Sequence, residues 1–171
     1  MTDFVVYEPH AQSPGPVVDI EIRSATLSDI EALAGVMAAR GGSVEDHVDL
    51  ARRLIEQLDV LLVAVRGRVI VGWCGIQRSS IHAGHAPEWL IAGLTVVPGA
   101  RRQGIGARLL GEVLSATSQA APAEPIFSVI NAGNLASIDL HEQLGFIEIE
   151  RAASFAGIEF TGGEGVLLRR L

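Results

Sequence analysis

The residues best suited to chemistry lie in one short loop, Pro98 to Gly106. There a Val-rich apolar run gives way to Arg101, Arg102, Gln103, Gly104, Ile105 and Gly106, followed by an amphipathic helical pattern. That composition makes an anion site. Glycines at 104 and 106 let backbone N–H groups approach a phosphate closely, a helix start adds partial positive charge, and the arginines add full charge. A pyrophosphate satisfies all three. A dinucleotide fingerprint does not fit, because its third glycine falls on Leu109 and the expected strand and acidic residue do not follow. A helix start whose glycines serve only a tight turn is the plainer alternative.

The arrangement of a strand, then Val96-x-Pro98-x-x-Arg101-x-x-Gly104-x-Gly106, then a helix resembles motif A of the GNAT superfamily of acyl-CoA-dependent N-acetyltransferases. Downstream, Asn134, Ser137, Ile138, Leu140, His141, Glu142, Leu144, Gly145 and Phe146 resemble the same superfamily's Asn-x-x-Ala-x-x-Leu-Tyr-x-x-x-Gly-Phe segment. Two matches in the right order weigh more than one. The resemblance implies an α/β fold with mixed α+β character: a single GNAT-like domain whose mostly antiparallel mixed sheet of six to seven strands is flanked by four helices. It also implies acetyl-CoA as co-substrate and no metal. Backbone groups of Leu94, Thr95 and Val96 would meet the acetyl and pantetheine parts, and Arg101, Arg102, Gln103, Gly104, Ile105, Gly106 and Ala107 would surround the pyrophosphate. Asn134 would contact the pantetheine arm, a role compatible with capping the last helix.

Acetyl transfer to an amine needs a neutral amine, a stabilised oxyanion and a proton for the departing thiolate. His141 sits where many superfamily members place the tyrosine that protonates the thiolate. A histidine with pKa near 6.5 is only partly imidazolium at neutral pH, so a proton-donor role implies activity that falls as pH rises. Packing beside Leu140 and Leu144 is its alternative role. Glu88, at the start of the strand leading to the loop, is the candidate base, directly or through water; a solvated strand-end charge is the alternative. His82, His85 and Glu88 have three-residue spacing but no convincing fourth ligand, so no metal site is assigned. Trp73, Trp89 and Cys74 fall in strands and read as packing residues.

The Asn-x-x-Ser-x-x-Leu-His-Glu-x-x-Gly-Phe form is similar to that of phosphinothricin acetyltransferases, whereas the tail from Gly157 to Leu171 is not. Relatives that acetylate protein N-termini often carry a glutamate where this chain has Val129. The expected activity is therefore acetyl transfer from acetyl-CoA to a primary amine of a small molecule, by direct attack in a ternary complex. A non-catalytic acyl-CoA-binding or regulatory protein is the main alternative, with acetylation of protein N-termini or aminoacyl-tRNA behind it.

Composition narrows the classes further. A net charge of -7 argues against a nucleic-acid partner, and all thirteen basic residues are arginine, which removes lysine Schiff-base chemistry and the Walker A loop. The lone Cys74 permits no intramolecular disulfide, and no apolar run is long enough to span a bilayer, so the reading is cytoplasmic, without a membrane partner. A homodimer is left open.

The elements that must hold these residues follow from periodicity. Residues 1–19, with Pro9, Pro14 and Pro16, read as an N-terminal arm before a domain spanning 20–171. A strand from Ile20 to Ser24 precedes helices over Leu27–Met37, capped by Thr26 and Asp29, and over Val48–Leu58, opened by Ser43 and Asp46. Strands are expected at Val60–Val65, Val69–Ile76, Glu88–Val97, Ile126–Ile130, Phe146–Phe155 and Val166–Leu171. Helices are expected from Gly104 to Ser118 and from Leu135 to Leu144.

Overall fold

In the computed structural model, which describes residues 19–171, the arm expected over 1–19 lies outside the described residues except for Asp19. Nine strands and four helices follow. They run β1 (Glu21–Ser24), α1 (Ile30–Ala38), α2 (Val44–Gln57), β2 (Val60–Arg66), β3 (Val69–Ser79), β4 (Glu88–Val96), α3 (Ile105–Ala120), β5 (Ile126–Asn131), α4 (Leu135–Gln143), β6 (Ile147–Ala152), β7 (Ser154–Phe155), β8 (Ile158–Glu159) and β9 (Gly165–Arg170). Seven strands form one sheet in the order β1-β2-β3-β4-β5-β9-β6. Only β4 and β5 are parallel neighbours, so the sheet is mixed and mostly antiparallel.

Local chemistry accounts for the helix boundaries. Asp29 accepts from the Thr26 N–H at 2.8 Å and from both terminal nitrogens of Arg23 at 2.7 and 2.9 Å. That charge-assisted pair, with the Arg23 hydrogen bonds the largest cause, holds the Asp29 carboxyl down at about 2. The first turn after Thr26, Leu27–Asp29, is a 3-10 turn, and the α-helix proper begins at Ile30. Ser43 and Asp46 form the expected reciprocal cap of α2.

Two apolar layers clamp the sheet. On one face α3 and α4 bury Ile105, Leu109, Val113 and Ile138 against Val71, Cys74, Ile76, Ile91 and Ile130. On the other, α1 and α2 bury Leu33, Met37 and Ala51 against Val63, Ile70 and Trp73. Trp73, Trp89 and Cys74 are therefore packing residues, and burial pushes the Cys74 thiol up to about 12.

Two expectations change at the C-terminal end. The strand expected over Phe146–Phe155 breaks at Ala153: β6 stays in the main sheet while β7 pairs with β8 in a separate hairpin. The turn is Ala156-Gly157, with φ of 51° and 74°, the two-residue arrangement that matches strand twist. An alanine in that position is a weak turn signal, which is why the hairpin is not legible from sequence. The final strand begins at Gly165, ends at Arg170 and inserts between β5 and β6.

The Trp73 ring lies across Gly93, so a Cβ at 93 would overlap it, whereas a Cβ at Gly99 meets nothing within 4 Å. Gly93→Ala should cost about 1–3 kcal/mol in urea unfolding, as overpacking does, with Gly99→Ala close to wild type. Equal stability of the two variants would contradict this packing.

Candidate active site

The site begins as a gap in the sheet. β4 and β5 pair only at Trp89–Ile126 and Leu90–Phe127. One residue later, Ile76 faces Ile91 while Gly75 faces Gly93, which leaves Ala92 as a bulge. Beyond it β5 leaves β4. The Val97 N–H bonds the Val71 carbonyl, so alternation along an antiparallel pair turns the Thr95 backbone toward Trp73 on β3 and turns Leu94 and Val96 toward the gap. Thr95 therefore departs from the sequence expectation: its backbone is engaged in the sheet, and its buried hydroxyl has no hydrogen-bond partner in the structure. Leu94 and Val96 turn backbone groups toward the gap, where β5 offers them no strand partner.

The glycine loop lies at the C-terminal end of β4. Pro98–Ala100 form a 3-10 turn, and Arg102 and Gly104 take left-handed φ values of 61° and 74° before α3 starts. Arg101 and Gln103 do more bracing than expected. Arg101 Nε donates to the Val96 carbonyl at 2.9 Å, and the Gln103 amide oxygen accepts from Arg66 while its nitrogen reaches the Gly99 carbonyl at 3.4 Å. Those contacts fix the loop to the sheet. The first helical bond of α3 comes from the Arg108 N–H to Gly104, and Gly104 carries no side chain to cap the helix. The N–H groups of Ile105, Gly106 and Ala107 thus point from a helix start, where an anion is stabilised. A Cβ at Gly106 would meet only Leu140 at 3.4 Å and Val96 at 3.9 Å, ordinary contacts, so the protein's own packing does not require glycine there.

A cavity of about 310 Å³ opens through the gap. Leu94, Ser128, Asn134, Ser137 and His141 line it on the α4 side. Arg40, Val129, Phe160, Glu159 and Thr161 line the other side. Asn134 both caps α4, accepting from the Ser137 N–H at 3.3 Å, and lines the cavity, as its two compatible roles allow.

His141 is 2% exposed. Its Nδ1 lies 2.7 Å from the Ser137 carbonyl, which can only accept, so Nδ1 carries the proton. Nε2, 3.1 Å from Ser128 Oγ, then accepts from that hydroxyl. Burial pushes the imidazole pKa below its ordinary 6.5, and the Ser137 carbonyl opposes the shift only in part. The ring is therefore neutral at neutral pH. The partly charged imidazolium expected from sequence does not follow, because solvent exclusion disfavours the charged form.

Glu88 is not part of the cavity. It pairs with Ser79 at the opposite end of β4, roughly 20 Å of strand from Leu94, so its expected role as base is corrected to that of a strand-end charge. Its place at the start of the strand leading to the loop does not bring it to the site, because most of β4 runs between Glu88 and the gap. His82 pairs with Glu150 at 3.3 Å rather than with Glu88 and stands edge-on to His85. Among the described residues, no three His, Cys, Asp or Glu side chains converge as for a metal. No described helix is long and apolar enough to cross a membrane.

Sequence reasoning missed Ser128, Arg40 and the wall from Ile158 to Thr161. Ser128 did leave a signal: it is the polar residue in phase with Ile126 and Ile130, both buried, on a strand of period two. The wall left none, because it depends on the β7–β8 hairpin. Phe160 is held there by packing its ring on Gly165, where no side chain fits.

A family model described as an acetyltransferase (GNAT) domain matches residues 35–163, about three quarters of the chain. A comparison with curated proteins finds no match. Among solved structures, the ribosomal-protein-alanine N-acetyltransferase of Brucella melitensis is 25% identical with a TM-score of 0.69, over 88% of this chain and 99% of that one. The Sinorhizobium meliloti phosphinothricin acetyltransferase, in complex with acetyl-CoA, is 18% identical with a TM-score of 0.69, over 88% and 87%. The yncA protein of Salmonella typhimurium, with its cofactor acetyl-CoA, is 18% identical with a TM-score of 0.68, over 88% and 92%.

Nitrogen NMR of the histidine rings tests the state of His141. We expect the neutral Nδ1–H form at pH 7 and a midpoint below 6.5. A midpoint above 6.5 would contradict the burial argument.

Proposed function

Because the chain belongs to the GNAT acetyltransferase family, we propose that it moves an acetyl group from acetyl-CoA to a primary amine of a small molecule, by direct attack in a ternary complex. The observation that carries this reading is the succession, along one stretch of chain, of the uncapped α3 N-terminus, the Leu94 and Val96 N–H groups that have no strand partner, and the cavity that Leu94 lines between β4 and β5. A CoA molecule needs these in that order: donors for its pyrophosphate, peptide partners for its amide-rich arm, and a space for the thioester and its acceptor. On this reading Arg102 and the N–H groups of Gly104 to Ala107 hold the pyrophosphate, Arg101 and Gln103 hold the loop, and Asn134 meets the pantetheine arm.

The Leu94 and Val96 N–H groups are the donors available to a thioester carbonyl at the gap, where one such donor is worth about 10²–10³ in rate. His141 supplies proton chemistry from its neutral form. A cavity of about 310 Å³ suits a small acceptor, and Arg40 and Glu159 place one charge of each sign along it, which suits a zwitterionic amine. The acidic chain offers little to a nucleic acid, and Val129 lines the cavity where N-terminal acetyltransferases often carry glutamate.

Acetyl-CoA incubated with a panel of amino acids and aliphatic amines should release free thiol in an amine-dependent way. A chain that binds CoA but releases no thiol would instead be an acyl-CoA-binding protein. Gly106→Ala should weaken CoA binding at least about tenfold while leaving the melting temperature near wild type, since a Cβ there meets only ordinary contacts. Glu88→Gln should retain wild-type turnover. Because His141 works from its neutral form, kcat should fall on the acid side with a midpoint below the ordinary histidine value, the reverse of the expectation for an imidazolium donor.

A further inference from the structure

We infer that Ser128 is a catalytic residue of this reaction, relaying the proton between the reacting atoms and His141 in both directions, an inference that rests on the acetyltransferase reading above. Its hydroxyl is buried, lines the cavity, and stands 3.1 Å from His141 Nε2. The Ser137 carbonyl holds the only ring proton on Nδ1, at 2.7 Å, so Nε2 presents a lone pair to Ser128 Oγ. The Phe146 ring, edge-on at 5.0 Å, packs against the imidazole. The charged side chains along the same cavity are Arg40 and Glu159. His141 lines the cavity too, but both of its ring nitrogens are engaged, Nδ1 by the Ser137 carbonyl and Nε2 by Ser128 Oγ, so a proton passing between Nε2 and the cavity travels through the Ser128 hydroxyl.

The proton balance is complete without another group. The amine nitrogen attacks the thioester carbon, the N–C bond forms and the carbonyl oxygen takes the negative charge. The ammonium proton passes to Ser128 Oγ as the Ser128 proton passes to His141 Nε2. When the adduct collapses, the C–S bond breaks, the imidazolium returns a proton through Ser128, and the thiolate leaves as the thiol. One proton has moved from nitrogen to sulfur and both side chains are restored. A separate base such as Glu88 is not needed, and neither is a phenol.

The test uses the full chain with acetyl-CoA and the amine of the panel that turns over fastest, comparing Ser128→Ala, Ser128→Thr and His141→Gln. Relay through Ser128 should lower kcat of Ser128→Ala about 10²-fold, the usual weight of acid–base catalysis, with the KM for acetyl-CoA little changed. Ser128→Thr, which keeps a hydroxyl, should recover most of the rate. The acid limb of the kcat profile should vanish in both Ser128→Ala and His141→Gln, because His141 then no longer communicates with the substrate. A wild-type kcat and an intact limb in Ser128→Ala would overturn the relay while leaving the transferase reading standing. So would equal loss in the Ala and Thr variants together with lost acetyl-CoA binding by calorimetry, which would mark a packing role. A wild-type chain that binds acetyl-CoA but transfers to no amine would sink the transferase reading itself, and the relay with it.

Discussion

A β-sheet is stable because each strand satisfies its neighbour's backbone, and this sheet breaks that rule in one place. After two residue pairs β5 abandons β4, leaving the outward backbone groups of Leu94 and Val96 without a strand partner. Both residues are half-buried and the Val96 carbonyl takes Arg101 Nε, which softens the cost of the missing ladder, and the rest of the fold props the gap open. The bulge at Ala92 turns β4 away. β9 pairs with β5 along all six of its residues, so β5 is held from its far edge. The α3 and α4 helices fill one face, and the β7–β8 hairpin with Phe160 closes the other. A ligand with its own peptide groups, as the CoA arm has, would complete the missing ladder.

The same gap explains the division of labour in the glycine loop. A loop that binds an anion must hold its donors fixed before the ligand arrives, and Arg101 does this by tying itself to the Val96 carbonyl, a group the missing ladder left free. Gln103 repeats the device through Arg66 and Gly99. On the proposed reading the α3 dipole turns positive potential toward the anion, in a chain whose net charge is -7. Local potential and net charge answer different questions: the first selects a bound group, the second disfavours a polyanionic partner.

What was legible in the sequence was local. Gly104 and Gly106 mark the start of α3 and Asn134 the start of α4, because each acts through its own backbone or its own side chain. The order and type of the main-sheet strands followed from periodicity, apart from the break at Ala153. What was not legible depended on pairing across long separations. Glu88 and Leu94 share a strand, yet only the β4–β5 register reveals that the gap opens far from Glu88. His141 was found by position, but its neutral state comes from burial beside Ser128 on β5 and Phe146 in the turn after α4. Ser128 reads as a core-phase defect until His141 is brought to it.

The central claim is that the β4–β5 gap receives the thioester end of CoA. A crystal structure of the complex with CoA tests it most directly. The account expects the pyrophosphate on the N–H groups of Gly104 to Ala107, the pantetheine amides paired with Leu94 and Val96, and the sulfur beside Ser128. A CoA molecule lying outside the gap, or a β5 strand zipped against β4 along its length, would contradict it.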